Sequence, residues 1–154
     1  SLVMTYNKAM EKEKARKECL AFLKANEYGV VATIAKNGVP HAATITYLVD
    51  DDFSIYFATR RTTRKYENLE YRNSIAMVVG TGPAAISVQL HGTTEIIEGE
   101  AREKIMERFL MKHESYYRIF LKMPGYDFAV FKITPTWIRL FNVEEKEEMF
   151  REIL

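Results

Sequence analysis

About seven short stretches rich in β-branched and aromatic residues, separated by turn signals at near-regular spacing, predict a small antiparallel β-barrel with helices at its periphery. Two amphipathic stretches supply those helices and make the fold mainly β, of the α+β kind. The composition agrees. With 47% hydrophobic and 28% charged residues among 154, the chain is an ordinary globular one, which excludes a disordered, collagenous or low-complexity protein. A chain of this size buries about 69% of its extended surface, enough for one core, and residues 1–154 read as a single domain.

The elements follow in order. Asn7 to Asn26 is charged and free of Gly and Pro, with Cys19, Leu20, Phe22 and Leu23 at helical spacing, so the N-terminal 26 residues predict an amphipathic helix lying across a sheet. Tyr28 to Ala35 is a strand that stops at Lys36-Asn37-Gly38, a hairpin signal because Asn and Gly tolerate positive φ. Val39 to Val49 returns as its partner, Asp50-Asp51-Asp52 turns the chain, and Phe53 to Thr59 alternates as a third strand. Arg60 to Arg72 breaks the alternation and predicts a short helix capped by Thr62 or Thr63, with Tyr66 and Leu69 on one side. Ser74 to Thr81 and Ala84 to Ile97 are strands divided by Gly82-Pro83, the second long enough to bend at Gly92. Beyond Gly99, Ala101, Ile105, Met106, Phe109 and Leu110 form the stripe of a second helix that ends near Pro124-Gly125. Tyr126 to Thr134 and Thr136 to Val143 predict two last strands on either side of Pro135, and residues 144–154 a charged, helical tail.

The charge balance, 22 Lys+Arg against 21 Asp+Glu, leaves no surplus to drive counterion release from a nucleic acid. The longest apolar runs are far short of the roughly 20 residues a membrane helix needs. Met4 reads as the natural start, with Ser1 to Val3 left from expression, and a cytoplasmic location is expected. One cysteine, Cys19, and three scattered histidines make neither a disulfide nor a zinc motif.

The stretch that carries chemistry is Thr59-Arg60-Arg61-Thr62-Thr63-Arg64-Lys65, four cations and three hydroxyls where a strand runs into a helix. Cations at a helix start face its positive pole and are disfavoured there. An anion resolves that conflict, and free N–H groups, hydroxyls and basic side chains together suit a phosphate dianion. The plain alternative is a solvated cluster offset by Glu67 and Glu70.

The run VVATIAKNGVPHAATITYLVDDDFSIYFATRRTTRKYENLEYRNSIAMVV, followed by ISVQLHGTTEII, resembles the FMN-binding split-barrel family that includes pyridoxamine 5′-phosphate oxidase and the general-stress flavoproteins. The likeness spans Tyr28 to Val143. It rests on an N-G-x-P turn, the hydroxyl-basic segment before a short helix, an Asn-Leu pair within that helix, and a later strand ending in Gly92. It implies an antiparallel split barrel of about six to seven strands, dimeric, with FMN at the interface. The family's phosphate-holding segment maps to Thr63, Arg64 and Lys65, with Thr59 and Arg60 closing the pocket. The strand that meets the flavin ring through its backbone maps to Ala43, Thr44, Ile45 and Thr46, and His41 lies at the start of the same strand. Ser87, with Gln89 on the same strand face, maps to a residue that reaches the ring or ribityl chain, and Trp137 to an aromatic from the partner subunit. Where pyridoxamine phosphate oxidases carry a basic residue in the second strand and an arginine-rich C-terminal segment, this chain has Ala43 and Trp137-Ile138-Arg139-Leu140. The likeness is therefore to the general-stress and nitroimidazole-reductase branch.

The resemblance implies an FMN-dependent oxidoreductase that passes electrons from a reduced nicotinamide to a small acceptor, with the flavin doing the chemistry and no residue serving as catalytic acid or base. The alternative is a non-enzymatic binder of flavin or haem, for which His91 is the candidate axial ligand. A deazaflavin fits the same phosphate cradle. His113 reads as solvated and Cys19 as a small apolar residue on a helix face. No nucleophile and base pair can be read from spacing, and no metal is expected.

Overall fold

The computed structural model describes residues 1–80, 85–121 and 127–154; the expected Gly82-Pro83 turn and Pro124-Gly125 helix stop lie outside them. The first helix, α1 (Leu2–Ala25), starts earlier than its charge pattern suggested because Ser1 caps it, its side chain accepting a hydrogen bond from the Met4 amide. Ala15, Cys19 and Leu23, each four residues apart, form the stripe that α1 buries.

Strands β1 (Tyr28–Ile34) and β2 (Pro40–Thr46) pair antiparallel from Tyr28 opposite Thr46 to Ile34 opposite Pro40. Gly38 closes this hairpin at φ 86°. The expected strand over Val39 to Val49 breaks at Tyr47, whose ring is fully buried and whose hydroxyl donates to the Leu23 carbonyl oxygen at 2.6 Å. Beyond it, β3 (Leu48–Val49) pairs with β4 (Ile55–Arg60) around the Asp50 turn, which the Phe53 amide closes by donating to the Asp50 carbonyl at 2.9 Å. Helix α2 (Arg64–Tyr71), β5 (Ser74–Val79) and β6 (Ile86–Ile97) follow.

The expected second helix is two, α3 (Gly99–Lys112) and α4 (Glu114–Leu121), broken at His113 with φ −131° and ψ 43°. The two expected last strands are one, β7 (Phe128–Asn142), running through Pro135. It does so because the register against β6 shifts between His91 and Gly92, so that His91 faces Trp137 and Gly92 faces Pro135. Thr136 is then an extra residue, and a bulge of this kind tolerates a residue without an N–H. The C-terminal tail is not helical. Asn142 donates its amide to the Met149 carbonyl at 2.9 Å, turning the chain back into β8 (Phe150–Glu152), which pairs with β7. Alternation wins over charge here: Ile153 is buried, while Arg151 reaches Glu18 of α1 at 2.8 Å and Glu152 reaches Arg139 at 2.7 Å.

The sheet order is β2-β1-β5-β6-β7-β4-β3, with β8 beside β7. Although β2 and β4 are far apart on that path they contact each other, so the sheet curls into a mainly β split barrel. Its interior holds Val31, Ile45, Phe57, Met77, Leu90 and Ile133, with Phe57 and Phe131 stacked 5.3 Å apart. A smaller cluster, including Ile105, Phe109, Tyr117 and Phe128, fills the space under α3 and α4. Among the described residues no helix is long and apolar enough to cross a membrane.

A Cβ on Gly92 would sit 2.1 Å from the Thr134 carbonyl oxygen, whereas one on Gly38 meets nothing within 4 Å. Gly92→Ala is therefore expected to lower the unfolding free energy by about 3 kcal/mol through backbone displacement, and Gly38→Ala by only about 1 kcal/mol through its positive φ. Urea unfolding of the two variants checks this order.

Candidate functional site

The hydroxyl-basic segment folds as a strand end, a turn and a helix start. Thr63 caps α2, its Oγ1 accepting from the Tyr66 amide at 3.3 Å. The same oxygen donates to the Arg60 carbonyl at 2.9 Å and lies 3.0 Å from Thr59 Oγ1. With its one hydrogen committed to Arg60, Thr63 accepts from Thr59, so both hydroxyls brace the turn. The N–H groups of Arg64 and Lys65, at the first positions of α2, have no carbonyl one turn back to bind.

Three of the four cations differ in their surroundings. Arg61 is held by the fold, its Nε donating to Asp127 Oδ2 at 2.8 Å and its guanidinium bonding the Tyr66 hydroxyl at 3.0 Å. Arg64 is exposed. Lys65 is half-buried and makes no hydrogen bond or ion pair among the described residues, and burial alone pulls its pKa below the ordinary 10.5. A half-buried ammonium with no counter-charge is costly, and an anion offsets that cost.

Lys65 borders two clefts. The first, about 340 Å³, opens where β2 meets β4 and gathers Thr44, Ile45, Thr46, Thr59, Arg60, Thr63 and Lys65. Tyr28, Ala58, Phe128 and Tyr117 complete its walls. Tyr117 comes from α4, and its hydroxyl lies 2.8 Å from Thr46 Oγ1. The second cleft, about 350 Å³, brings His41, Ala43 and Arg64 to the other side of Lys65. There the buried Asn68 amide nitrogen lies 3.0 Å from both Thr33 Oγ1 and His41 Nδ1, tying α2 to β1 and β2. Either cleft falls within the range of small-molecule pockets, roughly 300–1,000 Å³.

Three of the expected residues lie elsewhere. Gln89 and Trp137 line a shallow apolar groove of about 270 Å³ on the outer face of the sheet, where His91 stacks on Trp137 with ring centroids 5.2 Å apart. Ser87 lies on β6 opposite Phe141 and borders none of these clefts. Within one chain, then, Ser87, Gln89 and Trp137 are not brought to Lys65.

Two further expectations change or gain content. His113 is not solvated: it is 8% exposed at the α3–α4 break, its Nε2 has no partner among the described residues, and burial followed by the neighbouring Lys112 pulls its pKa down. Cys19 is fully buried, and burial pushes its thiol up to about 12, so it is an unreactive core residue. Tyr28, Tyr117 and Phe128 are lining residues that sequence reasoning missed. The stripe it followed ended at Leu110, and the break at His113 that turns Tyr117 inward carries no Gly or Pro signal.

A curled antiparallel sheet with a cation-edged cleft where its two ends meet defines a split-barrel protein. The family model described as pyridoxamine 5′-phosphate oxidase matches residues 15–142, and the chain belongs to that family. A curated relative, the 5a,11a-dehydrotetracycline/5a,11a-dehydrooxytetracycline reductase of Streptomyces rimosus subsp. rimosus, is 27% identical over 93 residues, 55% of this chain and 66% of the reductase. The match thus spans just under two thirds of that relative's length. A crystal structure of a protein related to general stress protein 26, from Clostridium acetobutylicum, aligns with a TM-score of 0.71 at 21% identity, covering 92% of this chain and 96% of that one. A pyridoxamine 5′-phosphate oxidase-related, FMN-binding protein of Nostoc punctiforme aligns with a TM-score of 0.60 at 14% identity, over 96% and 87%. A heme-binding protein of Mycobacterium smegmatis aligns with a TM-score of 0.69 at 18% identity, over 86% and 55%. These likenesses establish the fold.

Because the Lys65 pKa is lowered on folding, the charged lysine opposes folding below that pKa, and the opposition fades as pH rises toward 10.5. Lys65→Met is expected to stabilise the ligand-free protein at neutral pH, with an advantage that shrinks at alkaline pH. Urea unfolding across a pH series checks the sign.

Proposed function

We propose that this chain is a homodimeric flavoprotein that binds FMN noncovalently and passes electrons from a reduced nicotinamide to a small acceptor. The observation that carries the reading is Lys65, a half-buried cation at the start of α2 with no counter-charge among the described residues, where a phosphate satisfies both the ammonium and the helix N–H groups. In this reading Arg60, Arg64 and Lys65 hold the phosphate, and the Thr59–Thr63 pair shapes the turn that presents them. Ala43, Thr44, Ile45 and Thr46 lie along the ring, their small side chains leaving it room, and His41 closes the far side of Lys65. A second copy laying its outer sheet face over the cleft supplies Gln89 and Trp137, with Ser87 at the edge of that face. The bound flavin would supply the electron transfer, and the protein supplies orientation, exclusion of water and hydrogen bonds.

Pyridoxamine phosphate is not the proposed substrate. Ala43 offers no charge, and Arg139, the cation of the C-terminal segment, is spent on Glu152 at 2.7 Å and on the Trp137 ring at 5.3 Å.

The freshly purified protein is expected to show a two-band yellow spectrum and to release FMN on heating. A dominant Soret band would instead move the assignment to His91 and haem, and a deazaflavin would be identified by chromatography of the released ligand. Lys65→Met should weaken FMN about 10- to 100-fold while leaving riboflavin, which lacks the phosphate, within about twofold of wild type. Equal losses for both ligands would remove Lys65 from the phosphate site. Trp137→Ala should weaken flavin binding in a protein that still sediments as a dimer, as measured by fluorescence titration and analytical ultracentrifugation.

A further inference from the structure

Helix α2 buries two residues, Leu69, which joins the barrel core, and Asn68, a polar side chain that must be compensated where it lies. The compensation is specific. Thr33 and His41 stand directly opposite each other on β1 and β2, and Asn68 Nδ2 lies 3.0 Å from Thr33 Oγ1 and 3.0 Å from His41 Nδ1. An amide NH2 brings two hydrogens and no lone pair, so the threonine oxygen and the imidazole Nδ1 both accept from it. A neutral imidazole that accepts at Nδ1 carries its hydrogen on Nε2. Nε2 has no hydrogen bond among the described residues, and His41 lines the second cleft together with Arg64 and Lys65. The bond to Thr33, which is 1% exposed, would by itself tie α2 to the hairpin; the second bond goes to a half-buried ring and sets its tautomer. Asn68 follows Lys65 by three residues and Arg64 by four, so one face of α2 carries both cations and the amide that holds the imidazole.

We infer that Asn68 is a positioning residue of this site: it holds His41 in the tautomer that donates from Nε2 to the anionic group received by Arg64 and Lys65. The inference rests on the flavin reading, which puts the phosphate at Lys65. A phosphate so placed is bound by a neutral, directional N–H as well as by two cations, and hydrogen bonds to an ionised acceptor are the strong ones. The same contact is lost to a ligand without the phosphate, so the pair acts on selectivity for the phosphorylated flavin.

The test has two readouts. Nitrogen NMR of flavin-free protein carrying isotopically labelled histidine, recorded at mildly alkaline pH and assigned with His41→Phe, reads the tautomer: wild type should show Nε2–H at His41, and Asn68→Ala a mixture of the two forms. FMN and riboflavin are then titrated into wild type, His41→Phe, His41→Gln, Asn68→Ala and the double variant His41→Phe/Asn68→Ala. His41→Phe should weaken FMN about tenfold, the loss of one hydrogen bond to a charged group, and leave riboflavin within about twofold. His41→Gln, whose amide nitrogen reaches about as far as Nε2, should recover part of that loss. Asn68→Ala should weaken FMN less than His41→Phe, because the freed ring still samples the donor orientation, and the double variant should be no worse than His41→Phe. If Asn68→Ala does not fold, the wild-type tautomer and the two His41 variants carry the test. An Nδ1–H tautomer in wild type, wild-type FMN affinity in His41→Phe, or losses that add in the double variant would overturn the inference alone, with Lys65→Met still selective for FMN. A wild-type protein that takes up neither flavin would overturn the flavin reading, and this inference with it.

Discussion

The closure of this barrel depends on how near two backbones come at Gly92. A Cβ there would lie 2.1 Å from the Thr134 carbonyl oxygen, so only glycine permits β6 and β7 to approach so closely while Thr136 is extruded as an extra residue. A bulge bends and twists its strand, and this one divides β7 into two working halves. The half before it, Phe128 to Ile133, pairs with β4, and the half beyond it, Arg139 to Phe141, pairs with β8. Because β4 is carried round on the first half, its end at Thr59 and Arg60 arrives beside β2, and the cleft exists only where those two meet.

What the cleft can hold follows from which of its cations the fold leaves unneutralised. Placing positive charge at the start of a helix runs against its dipole, and the fold resolves the conflict for Arg61 by pairing it with Asp127 at 2.8 Å. Lys65 receives no such partner among the described residues and is half-buried besides. Solvated surface lysines at helix starts cost little, so the burial distinguishes this one from a bare charge cluster. The Thr59 and Thr63 hydroxyls, which composition alone counts as ligand donors, bind each other and the Arg60 carbonyl. What the turn leaves available to an anion is accordingly cations and helix N–H groups more than hydroxyls.

Much of this was legible in the sequence, and the remainder has identifiable physical causes. The Asn37-Gly38 hairpin and the helix after Thr63 rest on local backbone chemistry, and each occurs where its residues indicate, while at Gly92 the structure shows a shift of register against β7. The segment Thr59 to Lys65 was readable from its own residues as suited to an anion, and Thr44 to Thr46 only through the family likeness; the structure brings Thr44, Ile45, Thr46, Thr59, Arg60, Thr63 and Lys65 to one cleft. The failures are non-local. Pro135 reads as a strand end until the bulge removes the need for its N–H. The acidic tail reads as a helix until Glu18, on a helix more than a hundred residues away, offers both carboxylate oxygens, one to Asn142 and one to Arg151, each at 2.8 Å. Tyr117 enters the cleft through a helix break at a histidine, a position at which local propensity gives no warning.

The dispersal of the remaining expected residues is itself informative. On the sheet path β2 and β6 are three strands apart, which at the usual spacing is about 14 Å, further than a glutamine side chain reaches. Gln89 therefore cannot join Thr44 by any side-chain rotation within one chain, and Trp137 lines the same outer groove as Gln89. The surface between them is not that of a freely solvated sheet. Val30, Ala32, Ala76 and Val78 stand side by side on it, and the Trp137 ring is in contact with both the His91 ring and the Arg139 guanidinium. Solvated strand faces normally carry polar residues in alternation with the core. An outer face that keeps small and apolar residues next to an aromatic ring is suited to being covered, and a symmetric partner would cover two such faces at once while setting each Trp137 against the other chain's cleft. In the proposed dimer, Gln89 and Trp137, which each cleft lacks within its own chain, would come from the partner's outer face.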